Sequence, residues 1–231
     1  MEENKNTSQS IDEYILNQNS FASGYHFYKM FWVFFISSIL GFVIESLFCL
    51  LRYGYIESRA GLIYGPFSQI YGFGAVIMVL ILHRINIKRE LLLFFASAFL
   101  GGLFEFSCSL IQEFAFGFIS WDYSNSQFSI FGRTNLLYCF FWGILGVILI
   151  KDIYPFMSYQ IEKIPNKIGV MISWALIIFI LFDFSISAVA TIRANQRFHG
   201  IPASNFVQSI LDQYYPDSLL KKIYPNMIHV N

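Results

Sequence analysis

Ser37-Ser38-Ile39-Leu40-Gly41-Phe42-Val43-Ile44-Glu45 and Ser97-Ala98-Phe99-Leu100-Gly101-Gly102-Leu103-Phe104-Glu105 lie sixty positions apart and read as versions of one segment. Serine, the Leu-Gly pair and the glutamate recur at the same offsets. Each copy is followed by an arginine that opens a second apolar run, Arg59-Ala60-Gly61-Leu62-Ile63-Tyr64 in the first and Arg133-Thr134-Asn135-Leu136-Leu137-Tyr138 in the second. Both copies therefore place a Glu within one hydrophobic segment and an Arg at the mouth of the next. Internal duplication is a common construction in membrane transport proteins, where the binding site tends to lie between the repeats. Chance similarity between two Phe/Leu-rich helices is the competing reading.

Composition sets the broad class. Hydrophobic residues make up 56% of the 231 and charged residues 13%, against roughly a quarter charged in ordinary soluble domains. The expectation is an all-α polytopic membrane protein, multi-pass in the cell membrane and in contact with its lipids. Apolar runs at 28–51, 67–82, 91–112, 135–150 and 168–192 predict about five spans, the second and fourth being the shortest, since a helix needs about 20 residues to cross a hydrocarbon core. The first two and the next two form the internal parallel repeat, 28–83 and 91–151, with the fifth helix at 168–192 completing a transmembrane domain over 28–192. A polar N-terminal arm occupies 1–27 and a polar, amphipathic tail 193–231. The arm has no basic stretch and no small-residue cleavage site, so the first span is expected to be retained.

Net charge is zero, which gives no overall basic field for nucleic acid. Cys49, Cys108 and Cys139 stand alone in apolar runs and the four histidines are scattered, so neither a metal site, a disulfide framework nor a cofactor is expected. Lys and Arg in the short loops favour a cytoplasmic N-terminus by eight to seven, the compact Arg84-Ile85-Asn86-Ile87-Lys88-Arg89 loop being the best single signal. After span four a Pro-containing inner loop is predicted. In the tail, Ser204 is placed to cap a short helix carrying Phe206, Ile210, Leu211 and Tyr214.

The segment 60–82 carries no charge yet contains Gly65-Pro66, which interrupts a helix. Two readings are open: an interfacial loop, or a stretch that dips into the bundle and returns. The second requires cover by protein or water, because non-helical backbone is not tolerated against lipid.

Ser38, Gly41, Glu45, Cys49 and Arg52 form one stripe of small and polar groups along span one, and Ala98, Gly102, Glu105, Ser109 and Gln112 do the same on span three. Such faces meet other helices rather than acyl chains. A carboxylate in a span costs roughly 2.5–3.5 kcal/mol on insertion scales and turns to the bundle interior or to water. Glu45 and Glu105 are the first functional candidates, each within reach of its own repeat's arginine, Arg59 or Arg133. The competing reading makes them satisfied pairs that only hold the fold. Asp183, among aromatic and aliphatic neighbours, is expected to have an Arg or Tyr partner from the repeat bundle, and Glu113 to be an exposed interfacial carboxylate. The second repeat also carries an insertion with Trp121-Asp122-Tyr123-Ser124-Asn125, readable as an interfacial aromatic belt or as a lid from which Asp122, Ser124 and Asn125 reach a cavity.

Glu45, Ser58-Arg59-Ala60-Gly61-Leu62-Ile63-Tyr64-Gly65-Pro66 through Ile70-Tyr71-Gly72-Phe73-Gly74, then Glu113, Trp121-Asp122-Tyr123-Ser124, Gly132-Arg133 and Asp183-Phe184 together resemble a bacterial family called putative ABC-transporter type IV, the CmpB-like permeases. The resemblance spans about residues 30–190, with Gln69 and Ser129 standing where the family tends to have Pro and Asn. It implies a permease binding or moving a small polar or ionic solute between its repeats, with Glu45, Arg59, Tyr64, Glu105, Asp122, Arg133 and Asp183 as candidate binding residues. The chain has no GxxxxGK[ST] nucleotide loop, so an ATPase would be a separate subunit. The alternatives are a membrane-embedded enzyme acting on a lipid-linked substrate, with arginines gripping a phosphate, and a non-catalytic assembly or sensor subunit. No nucleophile with an adjacent base is visible.

Overall fold

The computed structural model describes residues 20–230; most of the predicted N-terminal arm lies outside the described residues. Four helices are long and apolar enough to cross a membrane: α1 (Phe27–Tyr53), α3 (Glu90–Phe116), the stretch Leu136–Glu162, and α6 (Asn166–Phe198). The chain is an all-α multi-pass membrane protein. Leu136–Glu162 consists of α4 (Leu136–Ile148), one π-helical turn (Leu149–Ile153) and α5 (Tyr154–Glu162). The Pro-containing loop expected there is therefore helix. Pro155 falls just after the wide turn, where its missing N–H and bulky ring are accommodated.

The second predicted span is shorter than expected. Helix α2 (Gln69–Met78) continues through a π turn, Val79–His83, for 15 residues in all, about 22 Å of helix, short of a hydrocarbon core of about 30 Å. The non-helical segment 54–68 covers the remaining depth. Its end is tied to α1 at Ser38, whose carbonyl accepts Ser68 N–H at 2.9 Å, fifteen residues before the helix ends at Tyr53. The segment thus runs back along about half of α1, which favours the reading in which this stretch dips into the bundle. Leu62 and Phe67 are buried there with Phe34 and Ile180. Its polar backbone is answered within the protein: Gly61 N–H donates to Phe67 O at 2.7 Å, Gln69 Nε2 to Gly61 O at 2.8 Å, and Ile63 N–H to Ser187 Oγ at 2.9 Å.

The first pair of helices, α1 with α2, and the second, α3 with α4, are alike in construction. Both long helices end at a left-handed glycine, Gly54 (φ 78°) and Gly117 (φ 71°), whose N–H groups return to Leu50 O and Glu113 O. Both carry a glycine on which an aromatic ring is seated. A Cβ on Gly41 would enter the Tyr71 ring, and one on Gly101 would enter the Trp142 indole. The small-residue stripes face these contacts, with Ser38, Gly41, Cys49, Gly102 and Ser109 buried. Each second helix contains one π turn.

Helix α6 closes the bundle. Trp32 Nε1 donates to Ser173 Oγ at 2.8 Å and Trp174 Nε1 to Tyr28 Oη at 3.1 Å. Lys29 is fully buried in α1, where its ammonium donates to Ser158 at 2.5 Å and pairs with Glu162 of α5, so it is a structural cation rather than a loop charge.

The tail is docked on the bundle. Helix α7 (Phe206–Tyr214) is capped by Asn205, not Ser204; the Asn205 side chain accepts Gln208 N–H, while Ser204 binds the Gln208 side chain. Phe206 and Tyr214 are exposed and Leu211 buried. Helix α8 (Asp217–Ile223) follows, and β4 (Ile228–His229) pairs antiparallel with β1 (Phe118–Ile119) after α3. Arg193 grips Asp212 with two bonds, 2.8 and 2.9 Å, and Arg197 reaches both Asp212 and Asp217. The hydrogen bonds from Arg193, then those from Arg197, hold the Asp212 carboxyl down at about 2.

Two outcomes test this arrangement. Gly101→Ala and Gly41→Ala should each lower stability by about 1–3 kcal/mol through overpacking, read as melting of the purified protein in detergent; unchanged melting in both would show that the rings are not seated there. A depressed folded-state pKa stabilises above the ordinary carboxylate value and loses that contribution as pH falls toward it. Tail docking, followed by limited proteolysis at α7, should hold from neutral pH to about 4 and weaken as pH falls toward about 2, and Asp212→Asn should flatten that dependence.

Candidate functional site

Glu105 lies on the face of α3 turned to α4 and is 5% exposed. Its Oε2 accepts the Thr134 hydroxyl at 2.6 Å and its Oε1 the Tyr123 hydroxyl at 3.0 Å. Thr134 belongs to β3 (Thr134–Asn135), paired with β2 (Ser129–Ile130) in a small hairpin before α4. Asn135 caps α4 by accepting Tyr138 N–H. That cap sets Tyr138 under the loop, where its ring stacks on Tyr123 with centroids 4.6 Å apart. Trp142, one turn further along α4, adjoins Glu105 as well. Burial, then the Glu105 carboxylate, pushes the Tyr123 phenol far above its ordinary range, so Tyr123 stays a hydrogen donor.

Glu45 comes from the other pair of helices. Its carboxylate is within electrostatic reach of Arg59 and of Glu105, and the Tyr71 hydroxyl lies toward it. Tyr71 also packs on Trp142, centroids 5.7 Å apart. Two carboxylates, one from each helix pair, thus flank the Tyr71–Trp142 contact, with Tyr123 and Tyr138 over the Glu105 side. Like charges in a low dielectric repel strongly, and a positive or hydrogen-donating group between them relieves that repulsion.

The arginines hold a corresponding but different position. Each reaches the residue one turn beyond its glutamate: Arg59 Nε donates to Cys49 Sγ and Arg133 Nη1 to Ser109 Oγ. Their close carboxylate partners are Glu57, at 2.9 Å from Arg59, and Glu113 for Arg133. The expected Glu105–Arg133 pair is therefore corrected, and Glu113 is the partner of Arg133 rather than a free interfacial acid. The reason is depth. Glu105, Ser109 and Glu113 lie on one face, and Glu105 is eight residues, about 12 Å, further along the helix. An arginine entering from the loop meets Glu113 and Ser109 first, and the adjacent Thr134 occupies Glu105.

Three predicted site residues lie elsewhere. Asp122 is exposed and accepts Ser124 Oγ at 2.6 Å and Ser124 N–H at 2.8 Å, bonds that hold its carboxyl below the usual range; it shapes the loop and does not enter the interior. The loop is fastened by Trp121 Nε1 to Arg133 O and by Tyr123 N–H to Gly132 O, both 2.7 Å, with Ser129 Oγ accepting Gly132 N–H at 3.0 Å. Tyr64 bonds the Tyr215 hydroxyl at 2.8 Å and stacks on Phe182. Asp183 accepts Tyr64 N–H at 3.0 Å and the Ser187 hydroxyl at 3.2 Å. Of the expected Arg or Tyr partner from the repeat bundle, the structure supplies a tyrosine, Tyr64, through its backbone amide rather than its ring, together with a neighbour on the same helix. Sequence reasoning missed Trp142 altogether and took Thr134, Tyr138, Tyr71 and Tyr123 only as letters of motifs; the four-residue spacing of Tyr138 and Trp142, on one face of α4, was the available signal.

A family described as Putative ABC-transporter type IV matches residues 32–188 of the chain. The chain belongs to that family. No curated protein and no solved structure matches it. The type IV match takes in both helix pairs, the Trp121–Ser124 loop and Asp183, and stops before the docked tail.

If Glu105 is held as described, Thr134→Val and Tyr123→Phe should each cost about 1–3 kcal/mol by stranding a buried carboxylate oxygen. Asp122→Asn should stay within about 0.5 kcal/mol, as an exposed change does. Chemical unfolding in mixed micelles measures all three.

Proposed function

We propose that this chain is the membrane-spanning, permease-type component of a transport system and binds a small polar or ionic solute between two duplicated helix pairs. The observation that carries the reading is that Tyr71 and Trp142, the rings beside Glu45 and Glu105, pack on each other across the two pairs with centroids 5.7 Å apart, while Tyr123 donates to Glu105. The matching glycine seats, left-handed caps and arginine contacts support duplication of the unit. On this reading the carboxylates receive the cationic or hydrogen-donating part of the solute. Arg59 and Arg133, already paired with Glu57 and Glu113, guard the approach to the site and position an anionic part where the solute has one. The Tyr123 loop covers the site from the side that also carries the tail. Membership of an ABC-transporter family supports a separate ATPase subunit as the source of energy. The basic loop Arg84–Arg89 supports placing that end of the bundle, with the N-terminus, in the cytoplasm of a cell whose membrane holds the protein.

The test is thermal scanning of the purified chain against small amines, alkali cations, amino acids and organic anions, with Glu45→Gln, Glu105→Gln and Arg133→Gln alongside. A compound bound by the folded state raises the melting temperature by mass action. The expected result is a compound that stabilises wild type, leaves both glutamine-for-glutamate variants unchanged and acts more weakly on Arg133→Gln. If no compound stabilises wild type and all three variants simply melt earlier, the groups are structural and the chain is an assembly subunit.

A further inference from the structure

Asp183 presents a chemical requirement that the Glu45 and Glu105 cluster does not meet. It is fully buried in the middle of α6. Its Oδ1 accepts Tyr64 N–H and the Ser187 hydroxyl, but its Oδ2 has no hydrogen-bond partner among the described residues. No lysine, arginine or histidine among them forms an ion pair with it. The nearest arginines on its own helix are committed elsewhere, Arg193 to Asp212 and Arg197 to Asp212 and Asp217. A second such oxygen is contributed by the tail. The Tyr224 hydroxyl is buried, approaches Ser187 without closing a hydrogen bond of good geometry to any described residue, and is within electrostatic reach of Asp183. The tail seals the place: Leu220, Tyr215, Tyr224 and Met227 pack on Ala190, Ala194 and Ile63.

A buried carboxylate without compensation is among the costliest groups a protein can hold. No fixed cation is supplied here, so the charge is answered by a proton or by a mobile cation, and the oxygen left without a partner favours the cation. The donor set is oxygen only, a carboxylate, a phenol and a hydroxyl, which suits a hard ion. One negative charge balances one positive charge; a divalent ion would call for more carboxylates or several retained waters. The site also borders the non-helical segment 54–68, and interrupted backbone beside a carboxylate is where membrane proteins hold such ions. We propose that Asp183 Oδ2 and Tyr224 Oη are ligands of a monovalent-cation site, supported by Ser187 and closed by the C-terminal tail. The bound ion ties together α6, the segment that dips into the bundle and the tail. Because Tyr224 lies outside the residues matched by the family, the site draws on a part of the chain that the family does not define. It is independent of the solute site proposed above.

The full chain in detergent is melted at one fixed pH near neutrality in NaCl, LiCl or KCl, with choline chloride replacing each at constant ionic strength. The wild-type melting temperature should rise with the logarithm of one alkali cation, by about 5–10 °C at a hundred-fold excess over its dissociation constant. Asp183→Asn, which keeps an acceptor for Tyr64 and Ser187, should abolish the rise. Tyr224→Phe should shift it to about tenfold higher concentration, and Glu105→Gln should leave it unchanged, which separates this site from the solute site. If Asp183→Asn does not fold, Tyr224→Phe decides: a rise identical to wild type overturns the proposal. So does the absence of any alkali-specific rise in wild type, including the case in which a parallel series in choline chloride shows that lowering the pH alone stabilises wild type and a proton is the occupant.

Discussion

Backbone that leaves the helical path inside an apolar bundle must find its hydrogen bonds within the protein, and the inner part of the segment 54–68 draws several of its bonds from the rest of the structure. Ser38 of α1 receives Ser68, Ser187 of α6 receives Ile63, Asp183 of α6 receives Tyr64, and Gln69 closes onto Gly61. These contacts explain why polar residues sit in the middle of otherwise apolar helices. They also explain why α6 packs where it does: its Asp183 and Ser187 are the counterparts of two amides that lipid would leave bare.

Close approach of helices is the second constraint. In lipid there is little hydrophobic gain from pairing helices, so contact depends on small residues that admit a partner's ring or backbone. Gly41 and Gly101 perform this in the two pairs, and the consequence reaches the site. Tyr71 and Trp142, the rings seated on those glycines, also touch each other and the two carboxylates. The packing that holds each pair together is therefore the packing that brings Glu45 toward Glu105.

The two pairs are not identical, and the differences follow chain length. The longer connection after α3 folds into a loop and strand hairpin that sends Tyr123 and Thr134 to Glu105, whereas the shorter one after α1 leaves Glu45 to Tyr71 and Arg59. Arg133 finds Glu113 on its neighbouring helix, while Arg59 finds Glu57 in its own connection. A symmetric sequence motif thus supports an asymmetric interior, one carboxylate fully hydrogen-bonded and the other more open to change.

Several features were legible in the residues before any fold was known. Length and hydropathy of the apolar runs determine a multi-pass helical protein, because twenty apolar residues have few other stable arrangements. Spacing by three and four determines that Ser38, Gly41 and Cys49 share one face, as do Gly102, Glu105 and Ser109. Gly65-Pro66 determines that the second run is broken. Partner choice was not legible, because it depends on distances between elements rather than along one. Only the tertiary structure decided that Arg133 stops at Glu113, that Tyr123 rather than Asp122 enters the interior, that Lys29 is buried against Glu162, and that Asp183 answers a backbone amide beneath a docked tail. The physical reason is the same in each case: a buried polar group takes whichever partner the packing brings within about 3 Å, and a single chain of letters does not contain that distance.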